Sequence, residues 1–409
     1  MKIDKSSKII SSLSQLYHAR KIYMDIRQKF LDPLLARDGT DKASLAIQKA
    51  RGQILDSLHK DSKEKKDSTI HAELAFQNEI RILGENDFAT REAIISFLAF
   101  IFPAMKMDNG FLNEFRSRIR VFHAEDVADK NAYLKNILFD SDISMEQKSD
   151  DHVYSLSVNR YLPYEPFLWK NQQYGKYMMC IPCVGIFDTS FEFPTLEKDG
   201  EALMAVSPYT IHTMGEDMQA SHGKGLVLGL GLGYFPYMAL QKKNVESVTV
   251  VEHDQNVIDL FRQHILPQFG DEERDRITII HDDAFHYMEN ISDGLFDFCY
   301  ADIWSSPMEV DTYLRIKELN RKFKRMECRY WIEDALVGYL QSYIYVDLIR
   351  FFCQVSHMVF VDPNTKMKLP EEMAREREYI EKKLKNYHVK QPRDIENLMN
   401  PKWLARKIS

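Results

Sequence analysis

The chain lacks several features that would point to particular function classes. No run of 18 apolar residues occurs, so no membrane-crossing helix is expected. The opening MKIDKSSKIISSLSQLYHARK has neither the apolar centre nor the cleavage pattern of an export signal. Basic residues are not in excess: 54 Lys and Arg stand against 61 Asp and Glu, a formal charge of -7, which disfavours a nucleic-acid partner. Cysteine is scarce and odd in number, at 5, which suits a reducing, cytoplasmic setting. Cys180 and Cys183 form one Cys-x-x-Cys, but no second pair completes a zinc site, and YMMCIPCVG reads as the core of a strand.

What is present is a change of periodicity along the chain. Residues 1–125 show apolar positions at helical spacing over Ser12 to Phe30, Asp41 to His59, Ser68 to Leu83 and Thr90 to Phe102, which predicts an N-terminal helical domain. Residues 126–220 form a linker and a small β-rich section with a turn at Lys198-Asp199-Gly200, ending in a helix from Ile211 to Ala220. From 221 to 360 strands and helices alternate, which predicts an α/β domain with a mostly parallel open sheet. The expected strands are Leu226–Leu228, Val248–Glu252, Ile277–Ile280, Phe296–Ala301 and Cys328–Ile332. Residues 361–409 read as a charged helical tail with a surface helix in EEMAREREYIEKKLKNY.

The densest signal is GLVLGLGLGYFPY, residues 225–237. An apolar strand runs directly into Gly229, Gly231 and Gly233, where glycine permits a tight turn and close approach of a ligand to the backbone. A phosphate-binding P-loop is excluded, because no Gly-Lys-Ser/Thr follows. The dinucleotide fingerprint Gly-x-Gly-x-x-Gly also fails, since its sixth position falls on Tyr234 or Pro236. Downstream, each strand ends in acid: Glu252 in SVTVVEHD, Asp282 and Asp283 in ITIIHDDAF, and Asp302 in FDFCYAD. Open α/β sheets bind ligands at that edge, and a carboxylate after the second strand suits a ribose diol. Either Asp282 or Asp283 is placed to accept from an adenine amine.

These residues resemble the class I S-adenosylmethionine-dependent methyltransferases and, more narrowly, their spermidine-synthase-like branch, over about 174–340. The resemblance implies a Rossmann-like fold and S-adenosylmethionine as cofactor. It implies that Gly229, Gly231 and Gly233 contact the methionine part, Glu252 the ribose and Asp283 the adenine. Aminopropyltransferases of that branch carry an Asp inside the glycine loop, where this chain has Leu232. They carry Asp-Ser-x-Asp-Pro after the fourth strand, where this chain has Asp302-Ile303-Trp304-Ser305-Ser306-Pro307. The first acid is kept and two are missing, so methyl transfer is the leading expectation and aminopropyl transfer or a non-catalytic ligand-binding role the alternatives. Asp302 is the candidate for orienting or deprotonating a substrate nitrogen or hydroxyl. Trp304 either stacks on the acceptor or packs a lid, and Tyr234 packs beside the donor. Glu333 and Asp334 either favour a cationic acceptor or, for Asp334, cap a helix. No metal ligand set is expected. His253, His281 and His286 read as ordinary local residues, the acceptor is unidentified, and a homodimer is expected by the branch's habit.

Overall fold

The computed structural model describes residues 1–26, 120–137, 149, 153–161, 167–174, 180–187, 189–358 and 371–408. The helices expected over Asp41–His59, Ser68–Leu83 and Thr90–Phe102 lie outside the described residues. The chain divides into two compact units.

The smaller unit comprises residues 18–127 and 160–191. Its described part holds a three-stranded sheet of β2 (Arg120–Phe122), β4 (Phe167–Tyr174) and β5 (Cys180–Phe187), in the order β2-β5-β4. Aromatic rings hold it together: Phe187 lies 4.9 Å from Phe167 and 4.4 Å from Phe191, both stacked. The Cys-x-x-Cys is part of β5, as its apolar context predicts, and Cys183 is buried.

The larger unit comprises residues 1–17, 128–159 and 192–409. Its elements begin with β1 (Lys2–Ile3) and α1 (Ser7–Ile26), whose Ile9, Leu13 and Leu16 are buried. After α2 (Ala124–Lys130) and α3 (Ala132–Asn136), β3 (Tyr154–Tyr161), β6 (Phe191–Lys198) and β7 (Glu201–Ala205) form a small sheet, with Asp199-Gly200 at the tip of the last hairpin. Both turn residues have positive φ. Helix α4 (Pro208–Ala220) starts from an N-cap Ser207 and a proline in its first turn, the pairing that satisfies free N–H groups without losing one.

The central sheet then follows: β8 (Gly223–Leu228), α5 (Tyr234–Leu240), β9 (Val245–Glu252), α6 (Gln255–Leu260), α7 (Asp271–Arg276), β10 (Ile277–His281), α8 (Ala284–Asn290), β11 (Phe298–Ala301), α9 (Val310–Asn320), β12 (Glu327–Tyr330) and α10 (Glu333–Val355). All five strands are parallel, in the order β10-β9-β8-β11-β12. A parallel sheet is covered on both faces, which is why LVL, VTVV and FCYA are almost continuously apolar. The chain steps outward from β8 to β10, then returns to place β11 on the other side of β8. The direction of winding reverses between β8 and β11, and a crevice opens beyond the carboxyl ends of strands at such a switch point.

The tail adds α11 (Glu371–Leu384), β13 (His388–Val389), α12 (Pro392–Leu398) and α13 (Pro401–Ile408). Despite its charge, α11 is more than a surface helix. Ile380 and Leu384 are buried, and a buried Glu376 accepts a hydrogen bond from Tyr343 Oη on α10 at 2.8 Å. No described helix is long and apolar enough to cross a membrane.

Candidate functional site

The strand register sets the site. Leu228 lies opposite Val251 on one side and Ala301 on the other, so the residues that follow these strands emerge at one level. The ladder runs one bond further: Gly229 N–H donates to Val251 O at 2.9 Å, Asp302 N–H to Leu228 O at 2.8 Å and Asp282 N–H to Glu252 O at 3.1 Å. Gly229, Glu252, Asp282 and Asp302 are thereby brought together at the carboxyl edge.

The glycine turn is tightly enclosed. Gly229 has φ 96°, and a Cβ there would run into the carbonyl oxygen of Asp302. Gly233 has φ 70° and starts α5, where a Cβ would strike the Phe261 ring. Gly231 lies against the Met204 thioether of the β6–β7 hairpin. The turn is fixed by Glu252, which is 7% exposed: its Oε2 accepts from Leu230 N–H at 3.0 Å, and its Oε1 from Asp254 N–H at 3.0 Å. His253 Nδ1 lies 2.9 Å from the same Oε1. Each carboxylate oxygen carries two lone pairs, so Oε2 retains one for an incoming hydroxyl while Oε1 is already shared.

At the next strand end the two aspartates divide their tasks. Asp283 is the N-cap of α8, with Oδ1 accepting from Phe285 N–H and His286 N–H, each at 2.9 Å. Asp282 pairs with His286 Nδ1 at 2.8 Å, and this partner raises the imidazole pKa. On the other side of the switch point, Asp302 is half-buried, and burial followed by the Glu252 charge pushes its pKa up to about 8.

Two of the expected site residues are almost wholly buried. Tyr234 is 2% exposed; its hydroxyl accepts from Asn131 Nδ2 at 2.9 Å, and its ring meets Tyr133 edge-on at 5.4 Å. Trp304 is 4% exposed, donates from Nε1 to Trp331 O at 3.1 Å and packs edge-on against Tyr313 at 6.1 Å. Both rings are buried against their neighbours. Glu333 is held by Tyr313 Oη at 2.6 Å and Lys317 Nζ at 2.8 Å.

Residues 210–327 match the spermine/spermidine synthase domain family. Over this segment the chain is similar to that family. The chain is similar to a polyamine aminopropyltransferase of Leptospira interrogans serogroup Icterohaemorrhagiae serovar copenhageni (strain Fiocruz L1-130), with 42% identity over 82 residues. That stretch is 19% of this chain and spans 16% of the relative's own length. Among solved structures, spermidine synthase from Thermotoga maritima aligns at 16% identity and TM-score 0.27, covering 40% of this chain and 59% of that one. The methyltransferase domain of a bacterial Hen1 aligns at 16% identity and TM-score 0.23, covering 29% and 58%.

The synthase-like segment also has supports that sequence reading missed. Tyr133 Oη donates to Leu232 O at 2.5 Å, and Leu232 N–H points at Met204 Sδ, 3.3 Å away. Leu232 itself is fully buried. Tyr154 Oη donates to Asp254 Oδ2 at 2.7 Å, and Asp254 caps α6. Asp217 on α4, 3.8 Å from Arg329, is raised by burial to about 7, with Arg329 opposing the shift. Among the described residues, the buried Tyr300 hydroxyl has no hydrogen-bond partner. None of these carries a local motif, because the partners are distant in sequence.

Proposed function

We propose that the crevice binds S-adenosylmethionine and passes its methyl group to a nucleophile held beside Asp302. The observation that carries this reading is the junction of the glycine turn with a buried carboxylate, Leu230 N–H to Glu252 Oε2, at the point where the strand order reverses. The residues suit the group. Side chains are excluded from the turn, Glu252 keeps a lone pair for a ribose hydroxyl, and Asp282 and Asp283 follow the next strand, β10, as candidates for the adenine amine. When bound, the sulfonium supplies an electrophilic methyl carbon and a neutral thioether leaving group.

This chain's contribution is then positioning, exclusion of water and one proton transfer. In its ionised form Asp302 accepts the proton that the acceptor nitrogen or hydroxyl loses. With a pKa of about 8 it is a stronger base than an exposed carboxylate and is matched to work near neutral pH. Trp304 shapes the wall by packing and takes no part in proton transfer. Glu333 and Asp334 follow β12 and favour a cationic acceptor, with the Glu333 charge shared with Lys317.

A second reading, aminopropyl transfer from the decarboxylated donor, is favoured by the family match and by the retained Asp302. Against it stand Leu232, buried where the branch carries a loop acid, and Ser305, whose hydroxyl donates to Glu309 Oε1 at 2.5 Å. Calorimetric titration with S-adenosylmethionine, its decarboxylated form and NAD separates the readings. Micromolar binding of the first, weakened roughly 10- to 100-fold in Glu252→Ala by loss of a charge-assisted hydrogen bond, is the expected result. Preference for the decarboxylated form transfers the assignment to the second reading. No heat with any of the three, from folded protein, refutes both.

A further inference from the structure

Two cysteines outside the proposed chemistry stand directly opposite each other in the central sheet. Cys299 in β11 is the in-register partner of Cys328 in β12. Neighbouring strands are roughly 4.8 Å apart in the hydrogen-bonding direction. Disulfides span Cα separations of about 4.4–6.8 Å, a range that includes the usual spacing of adjacent strands. In-register residues of adjacent strands share a face of the sheet, so the two side chains lie side by side. Cys299 is fully buried, whereas Cys328 is partly exposed.

We infer that Cys299 and Cys328 form an oxidative modification site that closes to an intrachain disulfide when the protein meets a peroxide. The order of events follows from access. Peroxide reaches Cys328 first: its sulfur is oxidised to a sulfenic acid, and the peroxide is reduced to water. The Cys299 sulfur then attacks the Cys328 sulfur, the S–S bond forms, and the sulfenic oxygen leaves as water with the proton of the Cys299 thiol. The neighbouring Cys328 sulfur and burial raise the Cys299 pKa, which disfavours Cys299 as the first thiol to be oxidised. The closed loop would contain Asp302, Trp304 and α9, so the bond would staple the base of the segment that carries the proposed proton acceptor. The site stands independently of the donor assignment.

The test uses the full chain, reduced and then exposed to a small molar excess of hydrogen peroxide. Remaining thiols are alkylated under denaturing conditions, and the digest is read by mass spectrometry. The expected product is a Cys299–Cys328 linked peptide pair that dithiothreitol reverses, that persists in Cys353→Ser, and that is absent from Cys328→Ala. The oxidised chain is expected to melt above the reduced one, since the bond restricts the unfolded state. Alkylated Cys299 beside Cys328 taken to sulfinic acid would overturn the inference. So would a disulfide between two copies through Cys328, or linkage of either cysteine to a third.

Discussion

Two aspartates dominate at the scale of single residues. Asp302→Asn keeps the size and polarity of the side chain and removes the base. The expected loss in turnover is on the order of 10²- to 10⁴-fold, with donor affinity changed far less. Because the Asp302 pKa is raised to about 8, the ionised form accumulates only as pH climbs through that value. The wild-type kcat/KM for the acceptor should therefore rise through about pH 8, and a flat profile would remove Asp302 from the proton transfer. Asp217 makes a different prediction, in stability. Its carboxyl is raised to about 7, well above the unfolded value, so the folded state holds its proton more tightly than the unfolded chain. The stability it contributes is complete below about pH 4 and is lost as pH rises through about 7. Asp217→Asn should melt close to wild type at pH 4 and above it at pH 8, by on the order of 2 kcal/mol after allowance for the lost Arg329 partner. Thermal melts across that range check the sign.

Among the elements, the glycine turn and its helix are the most exacting. Gly233→Ala must hold an L side chain at φ 70° and push its Cβ into the Phe261 ring. A left-handed residue costs roughly 1–2 kcal/mol and overpacking a similar amount, so the urea midpoint should fall with the slope m unchanged. This turn was legible in the sequence because its chemistry is local: a buried strand, three glycines and a helix start occupy one short stretch. The five central strands were legible for a related reason, since burial on both faces leaves uninterrupted apolar runs. Helix α9 was not. In VDTYLRIKELN the buried positions are Val310, Tyr313, Ile316 and Asn320, a narrow stripe in an otherwise polar segment. The packing role of Tyr234 was equally hidden, because Asn131 and Tyr133 lie about a hundred residues upstream of the turn they brace. The charge of α11 concealed Ile380 and Leu384, two apolar residues one turn apart that dock it.

For the molecule as a whole, the ends of the chain are joined. β1 pairs in parallel with β13, Lys2 with His388 and Ile3 with Val389, and Asp4 Oδ1 lies 2.5 Å from His388 Nε2 across 384 residues of sequence. Removing residues 1–5 should therefore free the carbonyls of Tyr387 and Val389, which accept from Lys2 N–H and Asp4 N–H, and loosen α12 and α13 in hydrogen-exchange measurements. Donor binding should persist, because the glycine turn and Glu252 belong to the central sheet. Exchange unchanged from wild type would show that the tail holds itself in place.

That joint also bears on how the protein is made. A ribosome releases β1 long before β13 exists, so this strand must wait unpaired, with its backbone hydrogen-bonding groups in water, until residues 388–389 have emerged. Contacts between residues so distant in sequence form slowly, because a very large loop must close first. The central sheet can assemble during that wait, since its strands all lie between residues 223 and 330. Closure of the termini would then come after translation of residue 389, as a docking event rather than part of the nucleus.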